Sequence, residues 1–235
     1  MTADPPVGMA AGMGLMLNRF YRSTKADFLC LGVNALVPAA VTVLLLLTFG
    51  LLASHQSLDM RVCIRVLEAV CCPAVAWYSI FLLQPMLQEK GGEIFYTYPV
   101  SRSYYGSVRI IRIYAIHVLF LVCSFLLFGL RLQTGLWSLW FQLSAEGLLF
   151  LALGFLAMTL TADAHYALAI VICYALACQF LPGYIPPDLN VFVQNENLIP
   201  IQEYSSQLLL PKVILMLILW ITAQNVFSAR RAFAD

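Results

Sequence analysis

The tightest constraint on this chain is apolar length. Six stretches, at about residues 28–53, 62–87, 110–130, 136–160, 166–181 and 208–227, are apolar over or close to a membrane-crossing length. A helix needs roughly 20 such residues to span the hydrocarbon core. Inside lipid every backbone polar group must be satisfied within the fold, so runs of this length read as helices. The rest of the composition agrees. Of 235 residues, 62% are hydrophobic and 11% charged, against about 45–50% and about 25% in soluble domains. An ordinary soluble globule and a disordered chain are both excluded. Six spans use about 120 residues and leave only short connections, with no room for a soluble catalytic domain. A net charge of +1 offers no basic face for nucleic acid.

The expected fold is therefore an all-α polytopic membrane protein with six transmembrane helices. Residues 1–27 form a cytoplasmic N-terminus, 28–228 one membrane domain without internal repeat, and 229–235 a cytoplasmic tail. The first residues lack a basic stretch ahead of an apolar core and cleavage site, so the first span is expected to be its own targeting signal. Lys and Arg in the connections set the orientation. With the N-terminus inside, nine lie on the cytoplasmic side: Arg19, Arg22, Lys25, Lys90, Arg102, Arg109, Arg112, Arg230 and Arg231. Four lie outside: Arg61, Arg65, Arg131 and Lys212. The seven cysteines all sit in apolar stretches and read as small buried hydrophobes, not as a disulfide framework or metal site.

Residues 13–25 form a different kind of element. At 100° per residue Met13, Met16, Leu17, Phe20 and Tyr21 share one arc, and Asn18, Arg19, Arg22 and Lys25 the other. Leu15 and Thr24 break the pattern. This predicts an amphipathic helix in the cytoplasmic interface. Asp27 would fall on the apolar arc, so the element is expected to end near Lys25. The segment 182–207 holds four prolines and apolar stretches, and reads either as dipping back into the outer leaflet or as a plain loop.

The connection 88–109 concentrates charge, then aromatics, then a proline stop. Glu89 and Glu93 are four apart and share one face of a helix. Ile94, Phe95 and Tyr98 supply an apolar face, and Pro99 ends the element. Gly91 and Gly92 weaken its continuity back to Glu89. Such a helix suits a groove on a cytoplasmic partner.

This stretch resembles the type-2 ATP-binding-cassette exporter permeases. The match lies in Glu89, Gly91, Gly92, Glu93 and Ile94, followed by Pro99-Val100-Ser101-Arg102. The layout is also similar: an interfacial helix, six spans, both termini inside and a broken outer segment before the last span. Tyr96-Thr97-Tyr98 departs from the small or aliphatic residues more usual before the proline. The resemblance implies a permease working as a dimer, with itself or a paralogue, beside two cytoplasmic ATPase subunits in a bacterial inner membrane. ATP and Mg would be bound by the ATPases, and no cofactor by this chain. Residues Glu89, Gly92, Glu93, Ile94, Phe95, Pro99, Ser101 and Arg102 would couple nucleotide-driven closure to the spans. An amphipathic, lipid-like, peptide or drug substrate would pass outward.

Motifs for other chemistries are missing: no GxxxxGK[ST] loop, no HExxH and no GxSxG. No two acidic residues lie in one apolar span, so a carboxylate pair in the membrane would need two spans. Glu146 sits mid-span with Gln142 one turn before it, and either lines a dimer or substrate path or makes an interhelical hydrogen bond. His117 reads as a packing residue ahead of a proton carrier. Arg61, Arg65 and Glu68 read as an outer-rim ion pair with snorkelling stems. Trp137 and Trp140 read as interfacial anchors, Trp77 and Trp220 as packing residues. The competing readings are an intramembrane enzyme built on Glu146 and His117, and a scaffold or immunity protein.

Overall fold

The computed structural model describes residues 7–54, 60–89, 103–132, 137–181, 184–186, 190–192 and 209–229. The elements are α1 (Val7–Leu31), a 3-10 turn (Gly32–Leu36), α2 (Val37–Ser54), α3 (Met60–Leu87), a π-helical turn (Tyr104–Val108), α4 (Arg109–Leu132), α5 (Trp137–Thr161), α6 (Ala164–Phe180) and α7 (Leu209–Ala229). Among the described residues there is no strand.

Among the described residues five helical stretches are long and apolar enough to cross a membrane: Phe20–Leu51, which runs through the 3-10 turn, Val62–Leu87, Tyr104–Leu127, Leu139–Thr161 and Leu209–Ala229. The chain is thus a polytopic helical membrane protein. The fifth stretch foreseen from the sequence forms Ala164–Phe180, 17 residues. At 1.5 Å per residue it is about 25 Å long, against a core of roughly 30 Å.

The beginning of the chain differs from expectation. Helix α1 does not end near Lys25 but continues to Leu31. Asp27 on the apolar side does not stop it, because a distant part of the chain supplies the opposite charge, as described below. Gly32, with φ of +55°, breaks the helix where a side chain would be strained. After the 3-10 turn, α2 resumes with Pro38 in its first turn, where a missing amide costs nothing.

Helices α3 and α5 are the central pair and bury most of their length, whereas α7 is largely exposed. Contacts advance together along the two: Cys72 with Leu143 and Glu146, then Ala76 and Ser79 with Gly154. They therefore run parallel. A Cβ on Gly154 would lie 2.6 Å from Ser79 Oγ and 2.9 Å from the Ala76 carbonyl, so only glycine allows this approach. Helix α7 runs the same way, from Lys212 beside Glu146 to Trp220 and Phe227 against Phe155. Between α5 and α6 the chain turns at Ala162, with φ of 54°. Asp163 then caps α6, accepting from the amides of His165 at 2.8 Å and Tyr166 at 3.3 Å. Despite some desolvation, those donors and His165 hold its carboxyl below the ordinary aspartate range.

Candidate functional site: two buried polar clusters

One cluster gathers where α3, α5 and α7 begin. Glu68 and Glu146 are fully buried and Gln142 is 4% exposed. The Gln142 amide donates to Glu68 Oε1 and, at 3.4 Å, to Glu146 Oε1. Lys212 Nζ donates to Glu146 Oε1 at 2.8 Å and to the Val191 carbonyl at 2.9 Å. The Cys72 thiol lies 3.8 Å from Glu146 Oε2. Glu68 Oε2 is buried with no hydrogen-bond partner. With every group ionised, two carboxylates in a dry site face the Lys212 ammonium, and Arg65 attracts Glu68 from the exposed side.

This arrangement corrects one expectation and answers one open question. Glu68 does not sit at an outer rim beside Arg65. It points into the core, while Arg65 stays exposed and attracts it from that side. The carboxylate pair does come from two spans. Of the 182–207 segment, residues 190–192 turn into the helical body. Val191 and Phe192 are buried, Phe192 stacks on Phe150 at 5.8 Å, and the Phe192 amide donates to Asn190 Oδ1 at 3.0 Å. Protein side chains thus cover this turn.

The second cluster lies at the other end, where α3 finishes and α4 starts. Asp27, 3% exposed, accepts from Arg109 Nε at 2.7 Å and from Arg112 Nη2. Arg112 also donates to Ser23 Oγ, and Tyr104 donates to the same hydroxyl at 3.0 Å. Arg109 Nη1 is 3.5 Å from Met86 Sδ at the end of α3. The Arg112 guanidinium faces the Phe20 ring at 6.0 Å and the Tyr104 ring at 5.8 Å. Here two cations share one carboxylate. The π-helical turn lets this start of α4 meet α7 as well. Ser107 donates to Gln224 at 2.7 Å and accepts from Trp220 at 2.9 Å, and Gly106 leaves the space for Gln224.

The foreseen residues divide between these places. Glu89 is exposed in the bend after α3. Gly92, Glu93, Ile94, Phe95, Pro99, Ser101 and Arg102 lie outside the described residues, as does the side chain of Arg19. Phe20, Arg22 and Lys25 are exposed on α1, Phe20 against Arg112. Gln142 and Glu146 meet each other but not through His117. The His117 ring, 3% exposed, is bonded to the Tyr78 hydroxyl at 3.2 Å and flanked by Tyr114 and Phe120. An enzyme built on a Glu146–His117 pair finds no such pair here. Trp77 donates to Asn34 at 3.2 Å and stacks on Phe81.

Sequence reasoning missed Asp27, Lys212 and Glu68 as interior residues. For Asp27 the signal was present, an acid on an otherwise apolar arc. For Lys212 it was a cation in the first turn of an apolar run. Among the described residues no group of three His, Cys, Asp or Glu is placed to hold a metal ion. Compared with family models, curated proteins and solved structures, the chain matches none.

Proposed function

We propose that this chain is the membrane-spanning permease subunit of an ATP-driven exporter, coupled to a separate cytoplasmic ATPase. What supports the reading is that both ends of the connection 90–102 are tied into the helical body. On the near side, Gln88 donates to Asp163 Oδ2 at 3.2 Å and accepts from the Ala164 amide at 3.2 Å. On the far side, Tyr104, Arg109 and Arg112 hold Ser23 and Asp27 of α1. A push on this connection reaches the α5–α6 turn through one anchor and α1 through the other. A coupling element needs that connectivity, and Glu89, Glu93 and the Pro99-Val100-Ser101-Arg102 ending supply the surface for it.

In this reading Ala164–Phe180 also crosses the membrane, fifth in order and shorter than the rest, which brings the spans to six. Both termini are cytoplasmic, the membrane is a bacterial inner membrane, and a second permease completes the unit. The substrate class is amphipathic: a lipid-like molecule, a peptide or a drug. The test is co-purification in mild detergent with the chain's native neighbours, wild type beside Glu93→Arg. The expected result is a bound ATPase with nucleotide hydrolysis, lost in the variant. A folded, monodisperse protein without an ATPase in either sample overturns the reading.

A further inference from the structure

We propose that the groove between α1 and α4 binds one anionic lipid, with the headgroup charge at Arg112 and an acyl chain along α4. The groove encloses about 720 Å³. Its apolar wall is a single stripe of α4 and the π-helical turn before it: Val108, Ile111, Ala115 and Leu119, spaced three and four apart. The eleven steps from Val108 to Leu119, at 1.5 Å each, make that wall about 16 Å long, a length suited to a lipid chain.

The polar end carries the charge argument. Among the described residues Asp27 is the one carboxylate paired with Arg109 and Arg112, which leaves one positive charge in excess there. Arg112 is 9% exposed, lines the groove, and its Nε is buried without a hydrogen-bond partner. An unmade donor on a charged group is costly. An anionic headgroup at the groove end of the guanidinium supplies the missing charge. Phe20 and Tyr104 flank the guanidinium, and Arg22 and Lys25 stand exposed on the same helix, adding attraction to an anionic leaflet. A small free anion would meet the arginine but leave the apolar wall uncovered. The combination therefore favours a lipid. The inference needs only the membrane embedding of the chain and stands apart from the exporter reading.

The test is native mass spectrometry and thermal unfolding of the full delipidated chain in detergent. The additions are phosphatidylglycerol, phosphatidylcholine with the same acyl chains, or inorganic phosphate. The expected result is one phosphatidylglycerol retained per chain and a raised melting temperature with that lipid alone. Ala115→Trp fills the wall without touching the ion pairs, and is expected to weaken retention about tenfold or more while leaving the lipid-free melting temperature unchanged. Leu119→Trp serves the same purpose if Ala115→Trp does not fold. Equal retention of both lipids, equal stabilisation by inorganic phosphate, or wild-type retention in the folded Trp variant would each overturn the proposal.

Discussion

The two buried polar clusters are near mirror images in charge. At the Lys212 end two carboxyl groups share one ammonium; at the Asp27 end two guanidinium groups share one carboxylate. Their surroundings differ. The first is sealed among α3, α5 and α7, with Glu68 and Glu146 fully buried. The second opens on a groove beside α1. An unbalanced charge in a closed core must be met by the protein's own groups. One beside an opening can be met from outside. The first arrangement suits a latch that holds α7 and the 190–192 turn onto α5, and the second suits a site that takes a ligand.

The largest effect is expected from Lys212→Met. It strips the core carboxylates of their cation and should cost about 3–5 kcal/mol, the range for breaking a buried pair. Thermal unfolding in detergent measures it. Adding Glu146→Gln to that variant should recover a large part of the loss, and no recovery would mean that Lys212 acts through packing. Asp27→Asn is expected to cost less, about 2–3 kcal/mol, as for hydrogen bonds to charged groups. The contrast sharpens if anionic lipid restores Asp27→Asn but not Lys212→Met, and breaks if lipid treats both alike.

Glu68→Gln removes one carboxylate charge from the sealed cluster while keeping its shape. Its melting temperature is expected at or slightly above wild type, a change within about 1 kcal/mol. A severe loss would show that the second carboxylate is needed in charged form. The smallest effect belongs to Asp163, the surface carboxylate that serves as a control for both. Its folded pKa is depressed, so the cap contributes above the ordinary aspartate value and fades as pH falls below it. Asp163→Asn should flatten that acid-side decline, with a melting temperature slightly below wild type at neutral pH and equal to it in acid. An equal decline in the variant would assign it to other carboxylates.

Much of the fold was legible because lipid-crossing helices are written in local apolar length. The helices α3, α4, α5 and α7 fall close to the stretches foreseen. Trp77 packs inward, and Trp137 is exposed at the start of α5, as their positions suggested. The candidate site was legible only in part. Gln142 and Glu146 were singled out from their depth in a span, but their partners were not. Asp27 shows why. Helical periodicity placed it correctly on the apolar arc, and the inference that the helix must end there failed. Arg109 and Arg112 lie some 80 residues further along, and no local pattern links them to it.

By itself, then, the sequence determined the class of fold, the number of apolar stretches and where polar groups interrupt them. Those follow from backbone hydrogen bonding and hydrophobic length, which are satisfied within each segment. Only the tertiary structure decided which interruptions face one another. Helix rotation and register are set by side-chain packing between distant segments, such as Gly154 closing on Ala76 and Ser79. That packing brings Glu68, Glu146 and Lys212 into one sealed set, and leaves Arg112 at the mouth of a groove.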